Sequence, residues 1–425
     1  MELEIWHEDA YIALVTQKSQ RMALKYTDAA GPLGSPLISV AMPVSSKSYG
    51  DKKVRAYLQG LLPEGEARRI LAYDFNIDAS DDLSLLAIIG RDCAGALQIV
   101  ERGDNSVKKS SAPVSEKSST SSPIIGSDEI ERRIRDLPIH PLGIDQKVRL
   151  SLAGVQPKLL LTKLPNGGWT LPTSSLPSTH ILKPAIANLP HSLQNEAFCV
   201  NFGRSAGLHA ANTSLLKFGS TEVLASERYD RVWRGEHLDR IHQEDSCQAL
   251  SVVTKSPQTK YEEFGGPRLR DISQVLDRWG SNEDKKELLR QIALHIVVGN
   301  CDAHGKNISF LHNGDGTIRL SPIYDVMSTE YYRLVNKHAM STTLGLFING
   351  KRSIEAVTFE DMAYEARSWK MRERTIKSVL FEIVDRLPDA VSAALRLLPE
   401  TPAQLVQIIN DRIQRAKEEL TRIRR

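Results

Sequence analysis

A carboxylate and a carboxamide, Asp302 and Asn307, stand five positions apart in the stretch Val298-Gly-Asn-Cys-Asp-Ala-His-Gly-Lys-Asn307, which leads into the apolar run Ile308-Ser-Phe-Leu311. This is the spacing by which a phosphoryl-transfer loop sets a proton acceptor for the attacking hydroxyl near an oxygen ligand for magnesium. Both groups must sit on one rigid loop. The base has to reach the attacking oxygen within hydrogen-bond distance while the hard ligand holds the metal on the phosphates. The competing reading is a polar turn closed by Asn and Gly. Asp-x-x-x-x-Asn recurs by chance, but here His304, Gly305 and Lys306 stand inside it. A second Asp follows in Ser321-Pro-Ile-Tyr-Asp325. The two pieces together favour catalysis over a turn.

Phosphoryl transfer also needs a cradle for the phosphates and a cation on them. Ser151-Leu-Ala-Gly-Val-Gln-Pro-Lys158 is a candidate cradle, since Gly154 lets backbone N–H groups approach phosphate oxygens. It lacks the second glycine and the Lys-Ser/Thr ending of a Walker A motif, and an ordinary loop before a strand reads equally well. Lys183 closes an apolar strand ahead of Pro184. It either snorkels to solvent or pairs with Glu196 on the next helix to sit on the α/β-phosphates. Asp325 would complete the metal site beside Asn307, with a turn aspartate as the plain alternative.

The rest of the chain has to position these groups. Its 425 residues suggest two or three domains, and 41% hydrophobic with 25% charged residues is ordinary globular composition. A net charge of +3 gives no electrostatic case for nucleic acid. No apolar run is long enough to span a membrane, and Met1-Glu-Leu-Glu-Ile lacks the pattern of a signal peptide. Cys93, Cys199, Cys247 and Cys301 are scattered, which fits a reducing cytoplasm better than a disulfide or zinc framework.

Residues 1–102 read as a small α+β subdomain and 103–127 as a flexible linker rich in Ser and Lys. Residues 128–237 alternate strands, a helix near Leu193–Ala206 and two hairpins, the order of a kinase N-lobe. Residues 238–425 are mostly helical. The helix Glu283–Val298 carries Leu288, Leu289, Ile292, Ile296 and Val297 on one stripe and delivers the chain to Asn300. Helices are expected at 372–387, 389–398 and 402–423, the last starting at Thr401-Pro402. Its basic residues, among them Arg412 and Arg415, read as a solvated face.

Nearly the whole chain resembles the HipA family, the toxin kinases of bacterial type II toxin–antitoxin modules. The likeness rests on Leu61-Leu-Pro-Glu, Ile89-Gly-Arg-Asp-Cys-Ala-Gly-Ala, Arg149-Leu-Ser-Leu-Ala-Gly-Val-Gln-Pro-Lys158 and Thr179-His-Ile-Leu-Lys-Pro. It continues through Glu227-Arg-Tyr-Asp-Arg, Gln243-Glu-Asp-Ser-Cys-Gln, Asn300-Cys-Asp-Ala-His-Gly-Lys-Asn and Pro322-Ile-Tyr-Asp, in that order.

The resemblance implies a bilobal, protein-kinase-like α+β fold and a serine/threonine protein kinase that uses ATP and Mg2+. Asp302 would be the base, with Asn307 and Asp325 on magnesium. ATP would be held by Ala153, Gly154, Val155, Gln156, Pro157, Lys158, Lys183, Ser226, Glu227, Arg228, His304, Gly305, Lys306, Asn307, Tyr324 and Asp325. Ser151 matches the serine that the family autophosphorylates; a phosphate there would repel ATP from the cradle. The implied partners are a small helix-turn-helix antitoxin (HipB-like), operator DNA through that antitoxin, and a protein substrate such as an aminoacyl-tRNA synthetase. The chain departs from the family at Pro157, where the cradle usually reads Gln-Glu-Lys; proline removes an N–H and fixes a dihedral.

Two other functions fit parts of the sequence. A small-molecule phosphotransferase would use the same Asp and Asn but would leave Ser151 unlabelled. A catalytically idle DNA-binding co-repressor would use the basic last helix and bind no ATP.

Overall fold

The computed structural model describes residues 1–104, 123–143, 151–173, 175–254, 256–335 and 340–424. Most of the expected linker, and the residues just before Ser151, lie outside the described residues. The chain divides into two compact units. One comprises 1–184, 216–257 and 311–317; the other comprises 185–215, 258–310 and 318–425.

The first unit begins with a four-stranded antiparallel sheet in the order Arg21–Tyr26, Ala10–Lys18, Glu2–His7, Leu97–Glu101. Alternation along Glu2–His7 buries Leu3 and Ile5 completely. Helices Asp51–Leu61 and Asp82–Ile89 bring Val54, Tyr57, Leu58, Leu86 and Ile89 into the same core. The Asp81 side chain caps the second of these helices by accepting the Ser84 N–H.

A six-stranded sheet comes next, in the order Ile124–Ile125, Trp169–Thr170, Leu159–Lys163, His180–Pro184, Thr221–Glu227, Thr213–Phe218. Its strand Leu159–Lys163 is covered on both faces, which is why the sequence reads as an unbroken apolar run. Leu160 joins the core of the first sheet. Leu159 and Leu161 pack with Ile130 and Ile134 of helix Ser127–Arg135.

The buried core runs past the expected boundary at 102. A cut at 102 would divide one core, since Leu142 and Leu160 share it with the N-terminal sheet. The same unit is cross-linked by buried charge. Arg231 Nη2 lies 2.8 Å from Asp92, Arg228 Nη2 lies 2.8 Å from Asp230, and Ser178 Oγ donates to Asp92 at 2.6 Å. Burial alone would raise the Asp92 carboxyl, but Arg228 and Arg231 outweigh it and hold the group at about 2. The linker also ends earlier than 127, because Ile124–Ile125 pairs with Trp169–Thr170 and a helix starts at Ser127. Residues 238–257, expected in the helical region, belong to the first unit, while helix Ser192–Ser205 belongs to the second.

The second unit is mostly helical, with Ser192–Ser205, Leu269–Trp279, Asn282–Val298, Phe359–Ser368, Glu373–Leu397 and Ala403–Arg424. Helix Asn282–Val298 opens on a reciprocal cap between Ser281 and Asp284 and buries the expected stripe of Leu288, Leu289, Ile292, Ile296 and Val297. The two helices expected around Pro388 are one. Proline removes an N–H and crowds the preceding turn, yet Ile383, Val384, Leu387, Ala390, Val391 and Ala394 are buried on both sides of it and hold the helix together. On the last helix the supposed solvated face is partly engaged. Arg412 pairs with Glu330 and donates to Ile296 O at 3.0 Å, and Arg415 pairs with Glu419.

Among the described residues no helix is long and apolar enough to cross a membrane. All four cysteines are buried free thiols.

Removing one partner of a buried ion cluster strands the other charge. Asp92→Ala is therefore expected to lower the unfolding free energy by about 3–5 kcal/mol in denaturant titration. Asp239→Ala, which breaks the exposed pair with Arg234, should cost at most about 1 kcal/mol in the same measurement.

Candidate active site

In the second unit the site grows out of the end of helix Asn282–Val298. Gly299 adopts a φ of 72° and turns the chain out of the helix. Asn300 then fastens the start of the loop: its Oδ1 accepts the Asp302 N–H at 2.8 Å, and its Nδ2 lies 3.0 Å from His295 Nδ1. Burial pushes the His295 pKa down to about 4, so a neutral ring is present to accept from the amide. The Cys301 N–H donates to Thr329 Oγ1 at 3.0 Å, and its carbonyl accepts the Gly345 N–H at 2.8 Å. Position 345 has no room for a side chain, because a Cβ there would lie 2.4 Å from the Ala303 carbonyl oxygen.

The loop closes through a short turn at Gly305–Asn307. Asn307 Oδ1 accepts the His304 N–H at 3.2 Å, and Asn307 Nδ2 donates to Asp325 Oδ2 at 3.2 Å. Asp325 takes a φ of 57°, the left-handed region that few non-glycine residues occupy and where strained functional residues gather. Its approach is fixed on both sides. The Tyr324 hydroxyl donates to Lys306 O at 2.7 Å and lies 2.6 Å from Ser309 Oγ, and Ile323 exchanges backbone bonds with His209 and Ala211. Asn307 and Asp325 thus place a carboxamide and a carboxylate side by side. Asn307 and Asp325 are the residues here that could hold a divalent cation, with the Asn307 oxygen accepting the His304 N–H and its amide facing Asp325. Among the described residues no cluster of three or more His, Cys, Asp and Glu is arranged for a metal.

The Asp302 side chain is open to solvent, and the Tyr261 hydroxyl donates to its Oδ1 at 2.5 Å. Desolvation by the protein around it raises the Asp302 pKa; the Tyr261 bond opposes that rise, and the charge of Asp325 reinforces it. The Tyr261 ring also stands edge-on to His304, with centroids 5.0 Å apart.

In the first unit, Gly154 has a φ of 119°, and a Cβ there would meet Lys158 Nζ at 2.4 Å. The loop Ser151–Lys158 closes on its own lysine, whose Nζ donates to Ala153 O at 2.7 Å. Gln156 Nε2 donates to Pro184 O at 3.4 Å, while Val155 and Pro157 are exposed. Lys183 is buried on strand His180–Pro184, in register with Leu224 of the neighbouring strand. Ser226 is half-buried and Glu227 exposed at the end of that neighbour.

Three more of the candidates are buried. Arg228, expected among the residues that hold ATP, is one. Its guanidinium serves Asp230, Ser178 and the Cys93 carbonyl, and its N–H donates to Thr179 O. Glu196 is buried on helix Ser192–Ser205. Ser151 is wholly buried, its hydroxyl donating to Leu61 O at 2.5 Å, so phosphorylation there requires the loop to leave this position. Sequence reasoning missed His295 and Tyr261 and gave Asn300 no role. Tyr261 carried no signal, since it lies 41 residues before Asp302 in an irregular segment.

The chain matches the model of the HipA N-terminal domain over residues 3–100 and that of the HipA-like C-terminal domain over residues 150–391. It is 34% identical over 336 residues to the Y4mE protein of Sinorhizobium fredii, covering 78% of each chain. It is 28% identical over 394 residues to the serine/threonine-protein kinase toxin HipA of Shewanella oneidensis, covering 89% of this chain and 85% of the relative. Among solved structures it resembles HipA in the Shewanella oneidensis MR-1 complex of HipA, HipB and operator DNA. That match has a TM-score of 0.79 and 25% identity, and covers 99% of this chain and 97% of the other.

Two expectations arise from the geometry. Gly345→Ala forces the Ala303 carbonyl aside and should reduce phosphoryl transfer at a stability cost of about 1–3 kcal/mol, read by activity assay beside thermal unfolding. With Asp302 as the base, the carboxylate must be ionised to accept a proton, and desolvation raises its pKa from the ordinary 3.8. Activity should therefore disappear on acidification at a pH above that value, as the pH profile of kcat/KM reports.

Proposed function

The chain belongs to the HipA family of kinases, and from that premise we propose that it transfers the γ-phosphate of ATP, with Mg2+, to a serine or threonine of a protein. The observation that carries the reading is the Asn307–Asp325 contact at 3.2 Å on a loop that presents Asp302 to solvent. Asp302 is the base that takes the proton of the attacking hydroxyl, and Asn307 and Asp325 hold Mg2+. When bound, the metal neutralises charge on the phosphates. Gly154 gives the backbone of the loop close access to phosphate oxygens, Lys158 and Lys183 supply positive charge, and Ser226 and Glu227 offer backbone groups to the adenine.

The similarity to a toxin solved with HipB and operator DNA supports a helix-turn-helix antitoxin as partner, with DNA reached through that complex. Arg412 and Arg415 are engaged within the fold, which leaves the last helix fewer free cations for DNA. The substrate class we assign is a translation component such as an aminoacyl-tRNA synthetase, and Ser151 is the site of autophosphorylation.

Incubation of the full chain with ATP and Mg2+, followed by intact mass and peptide mapping, tests this reading. One added phosphate on Ser151 is expected, and Asp302→Ala should lose activity by about 100-fold or more. Equal labelling of wild type and Asp302→Ala would remove Asp302 from the mechanism.

A further inference from the structure

We propose that Tyr261 is a positioning residue for phosphoryl transfer: its hydroxyl holds Oδ1 of Asp302 so that the other carboxylate oxygen faces the incoming hydroxyl. The proposal rests on the reading of Asp302 as the base.

An aspartate open to solvent is free to turn about its terminal torsion, which is broad and roughly two-fold. A base that turns spends only part of its time with a lone pair on the attacking oxygen, and small misplacements of this kind are expensive in rate. The 2.5 Å bond from Tyr261 to Asp302 Oδ1 removes that freedom. It spans 41 residues of sequence, so no local turn produces it.

The tyrosine is itself held rigidly. Its N–H donates to Gln258 O at 3.0 Å, and its carbonyl accepts the N–H groups of Phe264 at 3.0 Å and Gly266 at 2.9 Å. Gly266 sits so close to the Lys260 backbone that a Cβ would lie 2.6 Å from the Lys260 carbonyl oxygen. The next residue, Glu262, anchors the turn by accepting the Phe347 N–H at 2.7 Å. The ring rests edge-on against His304, two residues after Asp302. A tyrosine needed only for packing would not require its hydroxyl to end on the one carboxylate that the loop presents to solvent. The arrangement matches other sites in which a hydrogen bond to a reacting group from outside the reacting set fixes its orientation.

The test compares wild type, Tyr261→Phe, Asp302→Ala and the double variant in consumption of MgATP, counting γ-phosphate released to water or placed on the chain. Tyr261→Phe keeps the ring and its contact with His304. It is expected to lower kcat about 10-fold while leaving KM for ATP unchanged, and to add nothing when Asp302 is already alanine. A wild-type rate in Tyr261→Phe, with Asp302→Ala inactive, overturns the proposal and leaves the base in place. A faster Tyr261→Phe also overturns it, because the hydroxyl would then be a competitor occupying the substrate position. A rise in KM with kcat unchanged assigns Tyr261 to ATP binding and overturns it as well. If wild type consumes no ATP, or Asp302→Ala matches it, the reading of Asp302 fails and the proposal falls with it.

Discussion

A polar loop has been buried, and its backbone groups need partners within the protein. Asn300, His304, Lys306 and Asn307 are each less than a tenth exposed. Water cannot serve them freely, and an unmade bond there costs about 1–3 kcal/mol. The neighbours of the loop answer that demand: Thr329 for the Cys301 N–H, Gly345 for its carbonyl, Tyr324 for the Lys306 carbonyl, and His295 for the Asn300 amide. Meeting the demand also fixes geometry. These bonds limit the arrangements open to the backbone that carries Asp302 and Asn307.

The first unit relies on a different bond type for a similar result. The loop that begins at Ser151 is anchored where Ser151 N–H donates to Asp92 O, while the Asp92 carboxylate joins the cluster of Arg228 and Arg231. Clustered charges in a low-dielectric interior are individually costly to desolvate, but together they fix the position of the loop. The same cluster ties the N-terminal sheet to the second sheet. The loop from Ser151 therefore depends for its placement on the N-terminal subdomain.

Much of this was legible in the sequence because it depended on local pattern. The stripe of helix Asn282–Val298, the strand before Lys183 and the Asp302–Asn307 spacing come from periodicity and residue type alone. What escaped was set by tertiary contact. Pro388 looks like a break until buried residues on both sides hold one helix across it. The bond of the Arg228 guanidinium to Ser178 is likewise tertiary. Tyr261 was invisible because its importance is a single bond across 41 residues, and no window of sequence contains both ends. The boundary at 102 follows a change in composition and lies close to the end of the matched N-terminal domain at residue 100, while the buried core runs on to Leu142 and Leu160.

The concealed hydroxyl of Ser151 carries a kinetic meaning. Any reagent that modifies it, whether a phosphate donor or an acylating probe, must wait for the segment to detach from the carbonyl of Leu61. When the reagent is abundant, the pace is set by that detachment and becomes independent of concentration. The fold thereby acts as a clock, and weakening the attachment at Leu61 would make it run faster without any change in the chemistry it times.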